Sequence, residues 1–372
     1  GSGESTFDSA TSSNNHCQGV AMFAAGDVSA RSGVAPDADL VLSSIRKYEG
    51  GNEGDDYASD LDAAKAAGAI VSNQSWGYNS GGSSYNLTEL ESYISSNSLT
   101  NAQGLAVLMH GSSSGQDLTD ANTFVTALNN FESTGVMVWS AANDVGESDA
   151  SAMAGLPELF PDLGEAWIVA NVVQYTGDSD LSNATSSEFT LKGNKCGSTA
   201  EYCLSVDGYD VYAATYLDSG TSQYNNSRIS YGSSWSAPMV SGGVALVAQA
   251  FPNHTPEQLV DRILASANNV WFTPEGNTTF TTHGNAVKHG YHSTWGHGIP
   301  DFYAALSPIT SDGNPASMSL YTSSSIQSSE AATLGSSYIT PSGSFGNAIS
   351  HGLIGEVGYA YDELNGGFKY DM

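Results

Sequence analysis

The sequence predicts an α/β fold in which a mostly parallel sheet carries helices on both faces. Short apolar runs alternate with helix-like stretches between residues 20 and 73. The same alternation returns where the helical stretch TDANTFVTALNNFESTG leads into the strand-like runs VMVWSAAN and AWIVANVV. A helix that connects two parallel strands packs on one face of their sheet, so this alternation is typical of a covered parallel sheet. We therefore expect a three-layer sandwich.

The elements of the first part follow in order from their patterns. VAMFAAG continues a helix of small and apolar residues, and ADLVLSSI is an apolar run of strand length. YASDLDAAKAAGA has a helical pattern, and IVSNQSWG begins as an apolar strand and ends in polar residues. Functional groups of parallel sheets gather at the carboxyl ends of the strands, where loops and helix N-termini meet. Candidate site residues are therefore expected directly after strands.

Residues 1–306 are expected to form this domain, and residues 307–372 a β-rich linker or passenger segment. From residue 307 onward the chain is rich in Ser, Thr and Gly, with short β-like runs between them. Such a change of composition is typical of a domain boundary. The chain of 372 residues is long enough to bury a large core.

Acidic residues dominate the charge of the chain. It has 39 Asp and Glu against 10 Lys and Arg, a formal net charge of -29 at pH 7. Because like charges repel, neither nucleic acid nor an anionic membrane surface is expected as a partner. No apolar run reaches the roughly 18 residues of a membrane-spanning helix, so this segment is expected to make no membrane contact. The chain starts at Gly1 without an initiator Met or a signal peptide, and we interpret it as a piece of a longer protein.

Ser234 is the candidate nucleophile. It lies in YGSSWSAPMVSGG, at the start of a helix so apolar that it must be buried. A serine at this place brings its backbone N–H and the positive end of the helix dipole close to an anion. A hydroxyl at the start of a helix is also an ordinary N-cap. The motif alone leaves both interpretations open.

A general base and an oxyanion donor have candidates elsewhere in the chain. His16 precedes a helix of small and apolar residues, and Asn143 ends the apolar run VMVWSAAN. A serine hydroxyl needs a base to take its proton, and the resulting oxyanion needs fixed donors. Each of these residues alone is equally explained as a capping or turn residue. Together with Ser234 they would supply the parts that nucleophilic catalysis needs.

Five landmarks, in this order, resemble the subtilisin-like serine peptidases. That family opens a helix with H-G-T-H-V-A-G and continues with a G-V-A-P turn, and here HCQGVAM is followed by GVAPDADL. Its strand that ends in S-L-G or S-M-G is matched at residues 75–77, and its A-A-G-N segment at residues 141–143. Its G-T-S-M-A-A-P motif is matched by GSSWSAP at residues 232–238. The resemblance covers about residues 16–306.

The resemblance implies a serine endopeptidase that hydrolyses peptide bonds through an acyl-enzyme. Ser234 would be the nucleophile, His16 the general base, and Asn143, together with the Ser234 backbone N–H, the oxyanion donor. A protein or peptide substrate would pair its backbone with two short segments, formed by Ser75, Trp76, Gly77, Ser140, Ala141 and Ala142. This chemistry requires no cofactor. A structural calcium ion stays open, because subtilases often bind calcium.

The rest of the chain resembles the subtilases that bacterial autotransporters carry. KCGSTAEYCLS, AFPNHTPEQLVDRILA and STWGHGIPDFYAAL look like their paired-Cys loop, final helices and closing turn. The last 30 or so residues, from GSFGNAIS to the end, are similar to the segment that follows the peptidase in those proteins. The resemblance implies an extracellular or bacterial cell-surface location and a full-length protein that continues into an outer-membrane β-barrel.

Cys196 and Cys203 are close neighbours in sequence, and three states are open for them. A local disulfide would indicate an oxidising compartment. A zinc pair would need a second pair of ligands, which is not evident. Two free thiols are the third state. The similarity to the paired-Cys loop implies the disulfide.

The catalytic acid of the family has no clear match in this chain. The family Asp ends an apolar strand tens of residues before the His. The sole Asp before His16 is Asp8, which is too close to it and follows no apolar strand. We therefore expect the acid, with the first strand of the sheet, in an upstream fragment. The alternative is a noncatalytic surface or adhesion module on the same fold that has lost its acid.

No metal site is expected. Four histidines, His283, His289, His292 and His297, lie close together in sequence, but their stretch matches the closing turn of the family. The acidic segment at residues 49–60 meets no recognised calcium-loop spacing, and we interpret it as a solvated loop.

Overall fold

The structure is a computed structural model that describes residues 16–28, 31–43, 53–80, 82–178, 180–212, 217–218, 223–224, 229–281, 286–311, 319–320, 332–333 and 357–371. Asp8 and His283 lie outside the described residues. So do residues 49–52 of the acidic segment and most of the chain after residue 311.

The helices alternate with strands as the sequence predicts. The helices are α1 His16–Ala25, α2 Glu53–Ala66, α3 Leu87–Ser96, α4 Asn101–His110, α5 Gly115–Glu132, α6 Leu156–Leu159, α7 Ser233–Ala250, α8 Pro256–Ala265 and α9 Phe302–Ala305. The central strands are β3 Val71–Gln74, β6 Val136–Ser140, β7 Trp167–Tyr175, β8 Phe189–Leu191 and β9 Cys203–Asp207. The other strands are β1 Asp27–Val28, β2 Arg31–Ser32, β4 Asn79–Ser80, β5 Ser83–Ser84, β10 Val211–Tyr212, β11 Leu217–Asp218, β12 Gln223–Tyr224, β13 Ile229–Ser230, β14 Gly276–Thr281, β15 Ala286–Tyr291, β16 Ser319–Leu320, β17 Ala332–Thr333, β18 Val357–Tyr361 and β19 Gly367–Asp371.

Capping boxes start three of the helices. Asn86, Thr100 and Thr255 each accept a hydrogen bond from the backbone three residues later, and the Glu or Gln there bonds back to the cap. These reciprocal bonds satisfy backbone N–H groups that the first turn of a helix leaves without an intrahelical acceptor. The starts of α3, α4 and α8 are therefore encoded locally.

The central sheet is mostly parallel. β3 pairs with β6, β6 with β7 and β7 with β9, all in parallel register, while β8 pairs with β7 in the antiparallel direction. This arrangement confirms the predicted α/β fold with a parallel sheet. The carboxyl ends of β3 and β6 lie side by side, because Gln74 pairs with Trp139.

Alternate residues of the strands pack on opposite faces of the sheet, which gives the three layers. Val136, Val138 and Ile168 belong to one buried cluster, which also holds apolar residues of α7 and α8. Met137 and Trp139 belong to a second cluster, which holds apolar residues of α2, α4 and α5. Both faces are covered, so the strands consist of apolar runs rather than alternating polar and apolar residues.

The hairpin of β18 and β19 packs on the first part of the chain. Its residues Ala360 and Phe368, with Leu364 in the turn, are fully buried in the same cluster as α7 and α8. The described end of the chain therefore shares a hydrophobic core with the parallel sheet. The domain boundary near residue 307 stays a prediction.

One expected strand is absent from the described residues. The apolar run ADLVLSSI is predicted as a strand, but its described part, to residue 43, has no regular structure. Leu40, Val41 and Leu42 are 47%, 48% and 50% exposed. Among the described strands β3 pairs only with β6, so β3 is an edge strand, and the described part of the run does not pair with it. Within the described ranges, no helix is both long and apolar enough to cross a membrane.

Candidate active site

Ser234 is the second residue of α7 and follows a glycine cap. Gly232 has φ 151° and ψ 153°, and a side chain there would meet the Asn143 amide at 3.2 Å. Glycine therefore lets the Asn143 side chain lie directly against the start of the helix. Like the other N–H groups of a first helical turn, the Ser234 N–H has no intrahelical acceptor, and the helix dipole favours an anion beside it.

A hydrogen bond ties Ser234 to the end of β3. Pro238 lies four residues after Ser234 in α7 and has no N–H, so the Ser234 carbonyl loses its usual helical donor. The Ser75 hydroxyl donates to that carbonyl at 3.1 Å instead, and the Asn73 amide donates to the Ser75 hydroxyl at 2.8 Å. The Ser234 hydroxyl in turn lies 3.4 Å from the Ser75 carbonyl oxygen. Sequence motifs point to Ser75 and Ser234 separately, and the proline explains why they meet.

Asn143 follows the carboxyl end of β6 and faces the start of α7. Its Oδ1 accepts the Ser233 backbone N–H at 2.7 Å. A backbone N–H only donates, so the atom that it meets must be the amide oxygen. The Nδ2 group of Asn143 is thereby left as a donor on the other side of the amide.

His16 begins α1, which packs closely on α7. A side chain at Gly242 of α7 would come within 2.8 Å of the Ala24 carbonyl oxygen, so the two helices approach without space for one. The His16 ring lies 5.1 Å from the ring of Trp235, the neighbour of Ser234. Although His16 is exposed on its outer side, desolvation of the ring on its inner side lowers its pKa and keeps the imidazole neutral to lower pH than usual. The Ser234 hydroxyl bonds to the Ser75 carbonyl rather than to the His16 ring.

A cavity of about 250 Å³ lies beside Ser234. We call it the Ser234 cavity. Its lining contains six of the residues that the sequence predicts for the site, namely Trp76, Gly77, Ser140, Ala142, Asn143 and Ser234. The lining also contains Asn79, Ser84, Ser151 and Ser233, to which no sequence motif assigns a role in the site. Ser151 is brought there by the fold, because its N–H donates to the Ala141 carbonyl at 2.8 Å.

Ala141 lies behind the Ser234 cavity and uses its backbone within the protein. It is fully buried, and its N–H donates to the Ala170 carbonyl at 3.0 Å. Its carbonyl accepts the Ser151 N–H. In the other segment expected to pair with a peptide, residues 75–77 lie beyond the ladder between β3 and β6, which ends at Gln74.

Trp76 forms a fixed wall of the Ser234 cavity. Its ring stacks on Tyr57 at 4.8 Å and lies 5.3 Å from the ring of Trp139. Its indole N–H donates to the Gln74 side chain at 2.5 Å. These contacts hold the ring on several sides, because aromatic pairs prefer such separations and a half-buried indole N–H needs an acceptor. The width of the cavity at this wall is therefore set by the protein before any substrate binds.

Among the described residues, no cysteine or histidine lines the Ser234 cavity. Cys196 and Cys203 form a disulfide with their Cα atoms 5.9 Å apart, while Cys17, beside His16, is a free and exposed thiol. The His289 and His297 rings share a contact of 2.8 Å between their Nδ1 atoms.

The other candidate metal ligands do not come together in the described structure. His292 lies 3.4 Å from Glu275, while His289 and His297 contact each other. The acidic segment continues into the helix α2 from Glu53 onward, where a loop is predicted. Within the described residues, no group of three or more His, Cys, Asp or Glu side chains is arranged to hold a metal ion.

Comparisons with known proteins give one family. The model of the Subtilase family, Peptidase S8, matches residues 2–298. An extracellular serine protease of Serratia marcescens is 29% identical over 150 residues, which are 36% of this chain and 13% of that protein. The chain thus matches only a small part of the length of this relative.

Two solved structures illustrate the likeness of the fold. The protease domain of PatA has a TM-score of 0.47 at 16% identity, and the match covers 78% of both chains. Fervidolysin from Fervidobacterium pennivorans, described as a keratinolytic enzyme related to subtilisin, has a TM-score of 0.44 at 21% identity, over 77% of this chain and 35% of its own. The family match extends over most of the chain, from before His16 to the closing turn, and on this ground the chain belongs to the subtilase family.

Proposed function

We propose that the protein is a serine endopeptidase that forms an acyl-enzyme on Ser234. The observation that carries the proposal is the Ser234 cavity, which Ser234 and Asn143 line together. A hydroxyl at a helix N-terminus and a fixed side-chain amide beside the same cavity are the two groups that an acyl transfer needs at its reacting carbon. The family of the chain supports the same chemistry.

The proposed reaction begins when His16 takes the proton of the Ser234 hydroxyl. The Ser234 oxygen attacks the scissile carbonyl carbon, and the carbonyl oxygen becomes an oxyanion. Asn143 Nδ2 and the Ser234 backbone N–H then stabilise that charge. His16 returns the proton to the leaving amine, and a water molecule, activated by His16 in the same way, releases the acid product. For the first step the Ser234 hydroxyl must turn away from the Ser75 carbonyl and towards His16.

The substrate is proposed to be a protein or peptide in an extended conformation. Residues 75–77 follow an edge strand, so an extended peptide can add beside them through its backbone. Ser140 and Ala142, which also line the Ser234 cavity, would lie on the opposite side of that peptide. The proposed contacts with the substrate backbone are those of residues 75–77 and 140–142, except that the N–H and carbonyl of Ala141 are already bonded within the protein. Trp76 is also the wall that limits side-chain size.

The catalytic acid is proposed to come from an upstream fragment that adds a strand beside β3. Two features of the described residues support this place. β3 has one paired edge, and the apolar residues Leu40, Val41 and Leu42 are about half exposed. The exposed side chains of Leu40, Val41 and Leu42 are apolar surface that an added segment could cover. A parallel strand along the free edge of β3 would place its carboxyl end beside the end of β3, where Ser75 bonds to Ser234. An Asp there would orient His16 and stabilise its cation.

An extracellular location on a bacterial cell surface is part of the proposal. The relative from Serratia marcescens is named as extracellular. The disulfide of Cys196 and Cys203 is consistent with an oxidising compartment. Continuation of the full-length protein into an outer-membrane β-barrel, as in an autotransporter, is proposed on the sequence resemblance alone. The proposed chemistry uses no cofactor, and a structural calcium ion would affect stability rather than the reaction.

The alternative function is a noncatalytic surface or adhesion module. The observation that favours it is the His16 ring, which lies against Trp235 while the Ser234 hydroxyl bonds to Ser75. In this case the cavity would be a remnant of an active site. The two functions differ in whether Ser234 reacts.

Labelling with a fluorophosphonate separates the two functions. We expect the probe to modify Ser234, because it reacts with serine hydroxyls that a base activates. The experiment uses this chain and a longer version that includes the encoded upstream segment, each with its Ser234→Ala variant as control. Equal labelling of wild type and variant, or no labelling of either version, would reject the peptidase and leave the module.

A further inference from the structure

Asn194 bonds to the backbone on both sides of Asn143. Asn194 itself is fully buried. Its backbone N–H donates to the Ala142 carbonyl at 3.3 Å, and its side-chain Oδ1 accepts the Asp144 N–H at 2.9 Å. The Ala142 carbonyl belongs to the peptide group before the Asn143 Cα atom, and the Asp144 N–H belongs to the peptide group after it. One buried residue therefore contacts both peptide groups that flank the candidate oxyanion donor.

These two bonds restrain the direction in which the Asn143 side chain leaves the backbone. A peptide group is planar, so a residue has only two soft backbone dihedral angles, and these relate its two flanking peptide groups. Because both groups are bonded to the same neighbour, φ and ψ of Asn143 are restrained together. The Cα–Cβ bond of Asn143 then has one direction, along which its amide reaches the lining of the Ser234 cavity.

The side chain of Asn194 uses both ends of its amide within the protein. A backbone N–H only donates, so the atom that meets the Asp144 N–H is the amide oxygen. The amide nitrogen donates to the Asp149 carbonyl at 2.9 Å. Asn194 is also not part of the lining of the Ser234 cavity. Any effect of Asn194 on a reaction there must therefore pass through the segment that carries Asn143.

Most of that segment is exposed to solvent. Asn143, Val145, Gly146 and Ser148 are all exposed. Exposed backbone with few buried contacts opens locally at a small cost in free energy. The amide of Asn194 is a buried partner, and a buried amide that loses its hydrogen bonds pays a desolvation penalty. The bonds to Asn194 therefore make the backbone at Asn143 more rigid than its exposure alone would allow.

Gly193 lets this contact be close. A side chain at residue 193 would collide with the Ala142 carbonyl oxygen and would come within 3.2 Å of the Asn143 Cα atom. Glycine has no Cβ, so the backbone of residues 193 and 194 can lie directly against the turn after β6. The two chain segments are therefore in contact along their backbones, as well as through the Asn194 side chain.

Asn194 is held in turn by its neighbours in sequence. Before it, the Lys192 N–H donates to the Val172 carbonyl of β7 at 2.9 Å. After it, Cys196 is fully buried and joined to Cys203 by the disulfide. The short segment around Asn194 is thus fixed at both ends, to the central sheet and to the disulfide loop.

We propose that Asn194 is a positioning residue that fixes the backbone of Asn143 and thereby aims Asn143 Nδ2 at the oxyanion. The inference rests on the proposed function, in which Asn143 Nδ2 stabilises that charge. A donor that is aimed before the substrate binds needs no reorganisation during the reaction. The substrate carbonyl depends little on this donor before it becomes an oxyanion. Loss of Asn194 should therefore affect kcat rather than KM.

Substitution of Asn194 tests the proposal through kcat and KM. Loss of one oxyanion donor costs about 10²–10³-fold in kcat, so a misdirected donor, in Asn194→Ala, is expected to cost about 10-fold. KM should change less than about 2-fold. Asn171→Ala is the matched control and should keep kcat within about 2-fold. Asn171 is an equally buried asparagine, but its amide donates to the Thr294 carbonyl instead.

A second variant covers the case in which Asn194→Ala does not fold. Asn194→Ser leaves a polar side chain that is too short to bond to both Asp144 and Asp149, so it should lower kcat in the same way. If neither variant folds while Asn171→Ala does, Asn194 is a structural residue and the proposal is wrong. An equal loss of kcat in Asn171→Ala and Asn194→Ala would also reject it.

A double-mutant cycle separates positioning from a general loss of stability. In an Asn143→Ala background, Asn194→Ala should lower kcat by less than about 2-fold, because no amide is left to aim. If Asn194→Ala lowers kcat equally with and without the Asn143 side chain, its effect does not pass through Asn143. The positioning role is then wrong.

Hydrogen exchange of backbone amides gives a readout that does not require activity. In wild type, the Asp144 N–H should exchange at least about 10-fold more slowly than those of Val145 and Gly146, after correction for intrinsic rates. Val145 and Gly146 lie in the same exposed segment, and the described structure shows no acceptor for their N–H groups. In Asn194→Ala or Asn194→Ser, the Asp144 N–H should exchange as fast as these two.

The two failures are distinguishable. If the Asp144 N–H exchanges as fast as that of Val145 in wild type, the bond to Asn194 is not maintained, and the inference is overturned even if the protein hydrolyses peptides. Failure of fluorophosphonate labelling in wild type would instead overturn the proposed function.

Discussion

The guanidinium of Arg262 lies 2.6 Å from both carboxylate oxygens of Asp362, one hundred residues later in the chain. Neither side chain is exposed. Arg262 belongs to α8, and Asp362 follows β18 in the C-terminal hairpin. The Asp362 carboxylate also accepts the backbone N–H groups of Ile309 and Gly366. This ion pair therefore joins the hairpin to the helices that cover the sheet.

Removal of one partner of this pair is expected to destabilise the protein strongly. Asp362→Asn should lower the free energy of unfolding by about 3–5 kcal/mol, because it leaves the Arg262 charge buried without a counter-ion. Urea unfolding, followed by tryptophan fluorescence, measures the change. The double variant Arg262→Met with Asp362→Leu should lose much less than the sum of the single variants. A loss below about 1 kcal/mol in Asp362→Asn would mean that the pair is solvated.

Replacement of Ala142 by glycine is expected to stabilise the fold. Glycine adopts the left-handed backbone of residue 142 without strain, so Ala142→Gly should raise the free energy of unfolding by about 1 kcal/mol. Ala141→Gly is the matched control: Ala141 is buried and has no positive φ, so the same change should destabilise there. Melting temperatures of the two variants give the comparison. Destabilisation by both changes would argue against backbone strain at residue 142.

Glu132 should make stability depend on pH. Burial raises its pKa to about 7, although its carboxylate accepts the N–H groups of Gly164 and Ala166. The folded protein therefore holds a proton that the unfolded chain releases near pH 4.5. The contribution of this group to stability is full below pH 4.5 and is lost as the pH rises to about 7.

Glu132→Gln should abolish this part of the pH dependence, because the amide keeps an oxygen for the two N–H groups and carries no charge. Relative to wild type, the variant should gain roughly 1–3 kcal/mol between about pH 4.5 and pH 8. Urea midpoints of both proteins across this range measure the difference. If the urea midpoints of the two proteins change with pH in the same way, Glu132 has an ordinary pKa in the folded protein.

The pKa of His16 should rise when the upstream segment that carries the proposed catalytic acid is present. Desolvation holds the pKa of His16 below its usual 6.5 in this chain. A carboxylate beside the ring favours the charged imidazole, so addition of the upstream segment should raise that pKa. The imidazole ¹H signals, followed by NMR with His16→Gln for assignment, measure both values. An identical pKa in the two versions would place the upstream segment away from His16.

Cys17 should be the one thiol that reacts in the folded, oxidised protein. It is exposed, while Cys196 and Cys203 are joined and fully buried. Iodoacetamide followed by mass spectrometry should show one modified site in the native state, absent in Cys17→Ser, and two more after reduction and unfolding. Modification of Cys196 or Cys203 without reductant would contradict the disulfide.

Much of the fold, and the candidate residues of the site, can be predicted from local sequence. The apolar runs of β6 and β7 and the helical pattern of α5 predict a parallel sheet with covering helices, because burial on both faces requires that pattern. Short motifs make Ser234 and Asn143 candidates, and the structure places Ser234 in the first turn of α7 and Asn143 after the end of β6. The two residues meet although they are far apart in sequence, because the carboxyl ends of parallel strands lie at one edge of the sheet, where the following helices begin.

The sequence by itself determined which residues could be functional, and the tertiary structure decided how they are bonded. The bond from the Ser233 N–H to Asn143 spans 90 residues, and the left-handed backbone of Ala142 is bonded to Ser233 and Asn194, which are both distant in sequence. Only the structure shows that Leu40, Val41 and Leu42, predicted in a strand, lie outside the sheet and that the His16 ring lies against Trp235. A local pattern encodes propensity and burial, whereas a hydrogen bond or a strand pairing needs a partner whose position depends on the whole chain.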